Sequence, residues 1–409
     1  MNRYHGGSAP GRLDVLGGVA DYSGSLVLEM ALSLETRVRI RALDEPVLRL
    51  HSEAHGRAEN SAALLAAARR EGATEADLRE ALRASGLPSW THYPVGCILL
   101  LALARSWTPP SGLEIAISSS VPEGCGVSSS AALEVATLRA LASLSGLAFE
   151  GTELARLAQR VENHMVGAPC GLMDQLASAH GSSGHLLPIL CRPDVLGDPL
   201  ALPPGIRAVG WPSGVKHSVA GHPYGRARAA AFMGKRLLEA ALGRKVPYLT
   251  DFTPEEYHMQ QEHLAPALPG EDFLDGWKTI DDPLSVIDPD AHYPVHAATA
   301  FAIEENDRAQ RFLADLREHG QTGDEALLWR MGGCLYASHD GYSAMGLGSP
   351  ETDRMVEVLR ALPPSAGVFG ARISGGGSGG TVAVLLRESA LPTLRALADQ
   401  ITPGQRLLE

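Results

Sequence analysis

The stretch "VPEGCGVSSSAALEVA", Val121 to Ala136, decides how the chain is read, because a glycine-rich turn runs through three serines into an unbroken helical pattern. Such a junction presents free backbone N–H groups at a helix N-terminus, which is a ready anion site. The widespread nucleotide loop adds a lysine after its last glycine. Here Val127 follows Gly126, and the first lysine of the chain is Lys216. A phosphate held here must be neutralised by N–H dipoles, a metal ion or arginine. A plain helix cap is the competing reading, since serines before an apolar helix occur in most folds.

Outward from this loop, "GLEIAISSS" (Gly112 to Ser120) reads as a strand that delivers the chain into it. The helix after it is apolar nearly all round and therefore buried, with Gly146 as its stop. A second helix is expected from Glu153 to His164, with Leu154, Leu157 and Val161 on one face. Earlier, "TRVRIRAL" (Thr36 to Leu43) alternates like a half-buried strand, and "NSAALLAAARREG" and "PVGCILLLALARSW" read as helices. The Pro- and Gly-rich text from Arg192 to Gly205 is the best candidate domain boundary. Beyond it come a strand at "IRAVGW", a long helix from Tyr224 to Leu242, and a Pro/Asp-rich segment from Pro247 to His292 that reads as an irregular insertion. Helices near 296–318 and 324–344 follow, then a strand, the glycine loop "SGGGSGG" (Ser374 to Gly380), another strand and a short helix. That loop has more glycines than a hairpin needs, which close approach to a ligand explains better.

With 409 residues, two domains are the default. The net charge of −12 argues against nucleic acid or an anionic membrane as the main partner. The longest apolar run, Cys97 to Ala104, is too short to span a bilayer, and "MNRYHGGSAPGR" has no secretion-signal core. Five cysteines without CxxC spacing indicate neither zinc nor a disulfide framework, so a cytoplasmic protein is expected.

Three further stretches ask for one explanation together with the serine loop: "APGRLDVLGGVADYSGSLVLEMAL", "VENHMVGAPCGLMDQLAS" and the C-terminal glycine loop. Together they resemble the GHMP small-molecule kinases, over nearly the whole chain and in the right order. The resemblance implies a two-domain fold, α/β over residues 1–195 and α+β over residues 196–409, with the active site in the cleft between the domains. It implies ATP and Mg²⁺ as cofactors, with Pro122, Gly124, Gly126, Ser128, Ser129, Ser130 and Gly375, Gly376, Gly377 around the nucleotide. Ser130 matches the serine on the magnesium ion, and Glu162 matches the carboxylate that completes the metal site. Asp174 matches the catalytic aspartate and Arg12 the arginine beside it. Asp21 and Tyr224 match sugar contacts, and Gly18, Val19 and Gly171 lie in the same substrate-binding stretches.

Within the family, "VENHMVGAPCGLMDQLASAHG", "SGVKHSVAGHPYGRARAAAFMG", "DDPLSVIDP" and "HDGYSAMGLGSPETDR" are similar to the L-arabinokinase branch of the galactokinase relatives. The implied reaction is transfer of the γ-phosphate to the anomeric hydroxyl of L-arabinose. Galactokinase is the alternative, and a non-catalytic sugar- and ATP-sensing regulator is the alternative from another class. Partners are the sugar and ATP, with no nucleic acid or membrane, on a monomer or homodimer. Galactokinases usually read "GRxNxIGEHxDY"; this chain reads "GRLDVLGGVADY", with Gly18 and Val19 where a Glu-His pair stands. Asp14 is expected to tie the turn at Gly17 and Gly18. Single histidines such as His164, His217 and His339, the Cys170 thiol and Lys216 are read as structural or surface groups.

Overall fold

The computed structural model describes residues 3–70, 72–215 and 222–409, with the side chain of His222 left out; Lys216 and His217 lie outside them. The chain divides into two compact units. The first comprises 1–12, 31–122 and 128–181, and the second 13–30, 123–127 and 182–409. Packing therefore does not divide the chain in one cut at 195/196. Short segments from the N-terminal third and from the serine loop are built into the second unit, because their polar groups are satisfied there.

Strand β1 (His5–Leu16), of which 5–12 belong to the first unit, pairs with β2 (Leu26–Leu43), of which 31–43 do; the order β4-β3-β5-β2 includes β3 (Val47–Ser52), β4 (Gly56–Ser61) and β5 (Gly112–Ser119). The alternation of "TRVRIRAL" is realised in β2, where Val38 and Ile40 are buried while Arg37 and Arg39 are exposed. Helices α1 (Ala63–Ala68), α2 (Glu75–Ala84), α3 (His92–Arg105) and α4 (Ser129–Ser145) bring Leu65, Leu82, Ile98 to Leu101, Val135 and Leu138 onto this sheet in one core. Helices α3 and α4 are apolar nearly all round because they are buried on nearly all sides. Gly146 ends α4 in the left-handed conformation, φ +72°, donating to the Ala142 carbonyl.

The helix expected from Glu153 to His164 is instead two pieces: α5 (Glu153–Arg160) and a π-helical turn, Val161–Val166. The Glu162 carbonyl accepts from both Gly167 N (2.9 Å) and Ala168 N (3.0 Å), so the last turn widens before the chain reaches α6 (Met173–His180).

The second unit holds β6 (His185–Leu190), which pairs with Leu26–Met30 of β2, with β7 (Val195–Leu196) and with β8 (Leu200–Ala201). The long α7 (His222–Leu242) is followed by α8 (Pro254–Gln260), the two-residue strand β10 (Leu268–Pro269), α9 (Gly270–Trp277) and β11 (His292–Tyr293). The segment expected to be irregular thus contains two short helices, α8 fixed by a Thr253/Glu256 capping box with Pro254 at its first turn. Helices α10 (Val295–Thr322), α11 (Glu325–Ala344) and α12 (Pro350–Arg360) lead to β12 (Val368–Ser374) and β13 (Thr381–Arg387), then α13 (Leu391–Ile401). Antiparallel β12 and β13 form a sheet with β9 (Ile206–Pro212).

Candidate active site

The candidate residues fall into a group in each unit. In the first, β1 carries Arg12 and the first turn of α6 carries Asp174. Arg12 Nε and Nη2 both donate to Asp174 Oδ1, at 3.0 and 2.8 Å, with the guanidinium almost fully buried and the carboxylate about a quarter exposed (3% and 23%). A charge-assisted pair of this kind fixes the carboxylate in place.

Beside it lies a set of buried acids. Glu162 Oε2 accepts from Gln175 Nε2 at 2.7 Å, from the Cys170 thiol at 3.6 Å, and its carboxylate also accepts from Ser130. Burial pushes its pKa up to about 7 and the Asp174 charge pushes the same way, against the pull of those three donors. Gln175 Nε2 also reaches Glu134 Oε2 at 3.4 Å. Glu134 is fully buried on α4, and burial followed by the charge of Glu162 holds it well above the carboxylate range. Its Oε1 and Gln175 Oε1 have no hydrogen-bond partner among the described residues. Sequence reading missed Glu134 and Gln175; the signal was present, since a glutamate inside an otherwise apolar buried helix has to be matched by something. The Cys170 thiol is pushed well above its ordinary pKa by burial and by the neighbouring acids, so it is not a thiolate nucleophile.

The turn before α6, which holds Gly171, is pinned by Asn163: its Oδ1 accepts from Cys170 N at 2.8 Å. Helix α4 starts at Ser129, and Ser128 before it sits at φ +57° with no side-chain cap bond; its buried Oγ has no partner among the described residues. The plain helix-cap reading therefore does not hold at this serine. An orphaned hydroxyl at the N-terminus of a 17-residue helix fits a phosphate group. A hydroxyl at Ser130 and a carboxylate at Glu162, in contact with each other, are the hard oxygen donors that suit Mg²⁺ alongside phosphate oxygens and water. Among the described residues no group of three or more His, Cys, Asp or Glu forms an all-protein metal site, and neither His164 nor His339 belongs to one.

In the second unit the two glycine loops lie against each other. Thr381 Oγ1 donates to the Cys125 carbonyl at 2.7 Å; a Cβ on Gly126 (φ +69°) would stand 3.2 Å from the Ser374 carbonyl. Asp14 ties the loops further: its carboxylate accepts from Gly18 N (3.1 Å) and Gly375 N (2.9 Å) and pairs with buried Arg372 at 2.9 Å. The expected turn at Gly17 and Gly18 is thus tied, and Asp14 also reaches the C-terminal loop. Tyr342 donates to the Gly375 carbonyl (2.6 Å) and accepts from Val19 N (3.0 Å).

Asp21 lies in the turn Gly18–Ser23, next to Tyr22, whose ring meets that of Tyr224 edge-on with centroids 6.3 Å apart. Arg228, one turn beyond Tyr224 on α7, stacks over Tyr22 at 5.1 Å.

Three family models match the chain: the galactokinase galactose-binding signature over residues 2–42, the GHMP kinases N-terminal domain over 92–182 and the GHMP kinases C-terminal domain over 331–400. The chain belongs to the GHMP kinase family and is a galactokinase-like sugar kinase, a phosphotransferase with an alcohol group as acceptor. It is 33% identical to L-arabinokinase of Arabidopsis thaliana over 96% of this chain, spanning 43% of that protein's length. It is also 33% identical to a galactokinase of Chloroflexus aurantiacus, over 98% of this chain and 89% of the relative. Among solved structures, galactokinase of Lactococcus lactis complexed with galactose matches with a TM-score of 0.76 at 20% identity, covering 98% of this chain and 89% of that one. Mevalonate kinase of Methanococcus jannaschii matches at 0.61 and 15%, covering 100% and 97%. No helix among the described residues is long and apolar enough to cross a membrane.

Proposed function

We propose that the chain is a sugar-1-kinase that uses ATP and Mg²⁺ to phosphorylate the anomeric hydroxyl of L-arabinose, with D-galactose as a slower acceptor. The observation that carries the reading is the Arg12–Asp174 pair, a fixed and partly exposed carboxylate beside the Ser130–Glu162 contact. Asp174 orients the acceptor hydroxyl and takes its proton, while Arg12 holds the carboxylate in line and offsets charge as it develops. Bound MgATP supplies the phosphoryl group. Ser130 and Glu162 would hold the ion; Ser128, Ser129 and the backbone N–H groups of Pro122–Gly126, where present, would hold the phosphates, with Gly375, Gly376 and Gly377 beside them. Asp21, Tyr224 and Gly171 would face the sugar, and Gly18 and Val19 would act through the turn they share with Asp21, since Tyr342 and Arg372 occupy the space beside Gly18 and Val19 is buried.

The choice of sugar rests on the absence of a Glu-His pair at Gly18 and Val19: a side chain at 18 has no room beside Tyr342 Oη and Arg372 Nη2, and Val19 is buried and apolar, so neither position supplies a side chain that bonds a hydroxymethyl group. L-Arabinose in its pyranose form shares the ring hydroxyl arrangement of D-galactose but lacks the hydroxymethyl group. An apolar site discriminates against an added hydroxymethyl mainly by size, by about 10–200-fold, whereas a site built to bond that hydroxyl would favour galactose. Galactokinase stays the second reading, because the identity to the Chloroflexus enzyme equals that to L-arabinokinase. A sensor without catalysis is disfavoured by the intact Arg12–Asp174 pair. The test is ADP formation across a panel of pentoses and hexoses. A kcat/KM for D-galactose equal to or above that for L-arabinose overturns the sugar assignment, and no ADP with any sugar overturns the kinase reading.

A further inference from the structure

The Pro/Asp-rich segment 247–292 meets α7 at a buried polar clasp. Arg228 Nε and Nη2 donate to Asp282 Oδ2 and Oδ1 at 2.7 and 3.0 Å, a two-pronged pair in which both side chains are buried (7% and 2% exposed). Asp282 is held from its own side as well: Ser285 Oγ donates to Oδ2 at 2.6 Å and Leu284 N to Oδ1 at 3.3 Å. Burial works to raise the Asp282 pKa, but the bonds and charge of Arg228 with these two donors outweigh it and leave it below the usual range. Asp281, one residue earlier, accepts from Lys235 further along the same helix at 3.1 Å.

On its other side the Arg228 guanidinium covers the rings of Tyr22 (5.1 Å) and Phe232 (5.8 Å), and Tyr22 in turn meets Tyr224. Arg228 and Tyr224 stand four apart on α7, so they share a face. The Asp21 charge also acts on Arg228. A buried ion pair is weak evidence for stability, since an apolar pair of the same volume often serves as well. Stability alone thus does not explain an arginine held between Asp282 and the Asp21–Tyr22 turn.

We infer that Arg228 and Asp282 are a positioning pair through which segment 247–292 sets the acceptor-sugar site, by fixing Tyr22, Tyr224 and the field at Asp21. The inference rests on the reading that Asp21 and Tyr224 contact the sugar. Asp282 fixes the plane of the guanidinium, the guanidinium fixes the Tyr22 ring, and the ring fixes its neighbour Asp21 and the facing Tyr224. Releasing the clasp loosens sugar binding and leaves nucleotide binding alone, because Arg228 and Asp282 bond to each other, to Ser285 and Leu284 and to the rings of Tyr22 and Phe232, and these residues lie in neither glycine loop.

The experiment measures KM for sugar and for ATP separately, using whichever sugar the intact protein phosphorylates best, for Asp282→Asn, Arg228→Met and the double variant. Each single change is expected to raise the sugar KM about tenfold with the ATP KM within about twofold, and the double change is expected to do no more than either alone. Should Asp282→Asn fail to accumulate, Asp282→Glu and Arg228→Lys, which keep the charges and alter the geometry, are read the same way. Asp21→Asn and Tyr224→Phe are measured in parallel. If they raise the sugar KM while folded clasp variants leave it unchanged, the inference falls and the sugar reading stands. If neither raises it, the sugar assignment of Asp21 and Tyr224 falls, and the inference with it.

Discussion

Gly18 shows what a single residue can hide. From sequence, a glycine in place of a glutamate looks like spare room. In the structure Gly18 has φ +52°, and a Cβ there would stand 1.9 Å from Tyr342 Oη and 2.6 Å from Arg372 Nη2. Tyr342 and Arg372 fill the volume that a side chain at 18 would need. Gly18→Ala is therefore expected to lower stability by about 2–4 kcal/mol, from left-handed strain plus overpacking, measured by denaturant unfolding. Tyr342→Phe alone leaves Val19 N–H and the Gly375 carbonyl unpaired and is expected to lower it by about 1–3 kcal/mol. Because the hydroxyl is the first atom struck, the double variant should lose less than the sum, a coupling that additivity would refute. Converting Gly18 and Val19 to a Glu-His pair is expected to unfold the protein before it alters sugar choice. At Asp174, Asp174→Asn keeps shape but cannot take a proton, so kcat should fall by ~10²–10⁴ with sugar affinity within about tenfold. Near-normal turnover in that variant would remove Asp174 from its assigned role.

Helices and turns show where the sequence was legible and where it was not. The half-buried β2, the buried α4 with its Gly146 stop, and the β12–loop–β13 hairpin followed from period, glycine placement and apolar content alone. The π-helical turn at Val161–Val166 did not, because a widened turn leaves no hydrophobic period of its own. Helix α12 was also unread: its start depends on a Ser349/Thr352 box and Pro350, and its apolar face is only Met355, Val356 and Leu359. Arg12 and Asp174 were legible as a pair only through their family resemblance, since 162 residues separate them. The N-terminus of α4 carries a sharp test of the phosphate reading. A capping serine replaced by alanine lowers stability by about 0.5–2 kcal/mol. Ser128 makes no cap bond, so Ser128→Ala should leave thermal stability nearly unchanged while raising the KM for ATP several-fold. A clear loss of Tm with unchanged ATP kinetics would return this serine to a capping role.

For the molecule as a whole, the interleaving of the chain has a direct consequence for how it can be cut. A fragment 196–409 retains most of the second unit's residues but lacks 13–30, 123–127 and 182–195, all of which pack within that unit. Without Asp14, the fully buried Arg372 loses its partner at 2.9 Å. An uncompensated buried charge of that kind lowers stability by about 3–5 kcal/mol. Buried Glu305 loses the Gly17 N–H it accepts at 3.1 Å, Tyr342 Oη loses Val19 N, and Gly375 N loses the Asp14 carboxylate. Each such orphan lowers stability by a further ~1–3 kcal/mol. The Thr381 hydroxyl loses the Cys125 carbonyl, and the removed segment also takes β6 from its place beside Leu26–Met30. Against a total stability of about 5–15 kcal/mol, losses of this size leave no folded state. Fragment 196–409 expressed alone is expected to lack near-UV circular dichroism and a cooperative denaturant transition, although α10 and α11 retain helical signal. Lengthening it to 182–409 restores β6 but not Asp14, so it should fare no better. A cooperative transition in either fragment would show that the C-terminal region folds without Asp14 and its neighbours. That outcome would make residues 196–409 a domain in the strict sense, and the ties at Asp14 a fastening added to a fold already formed.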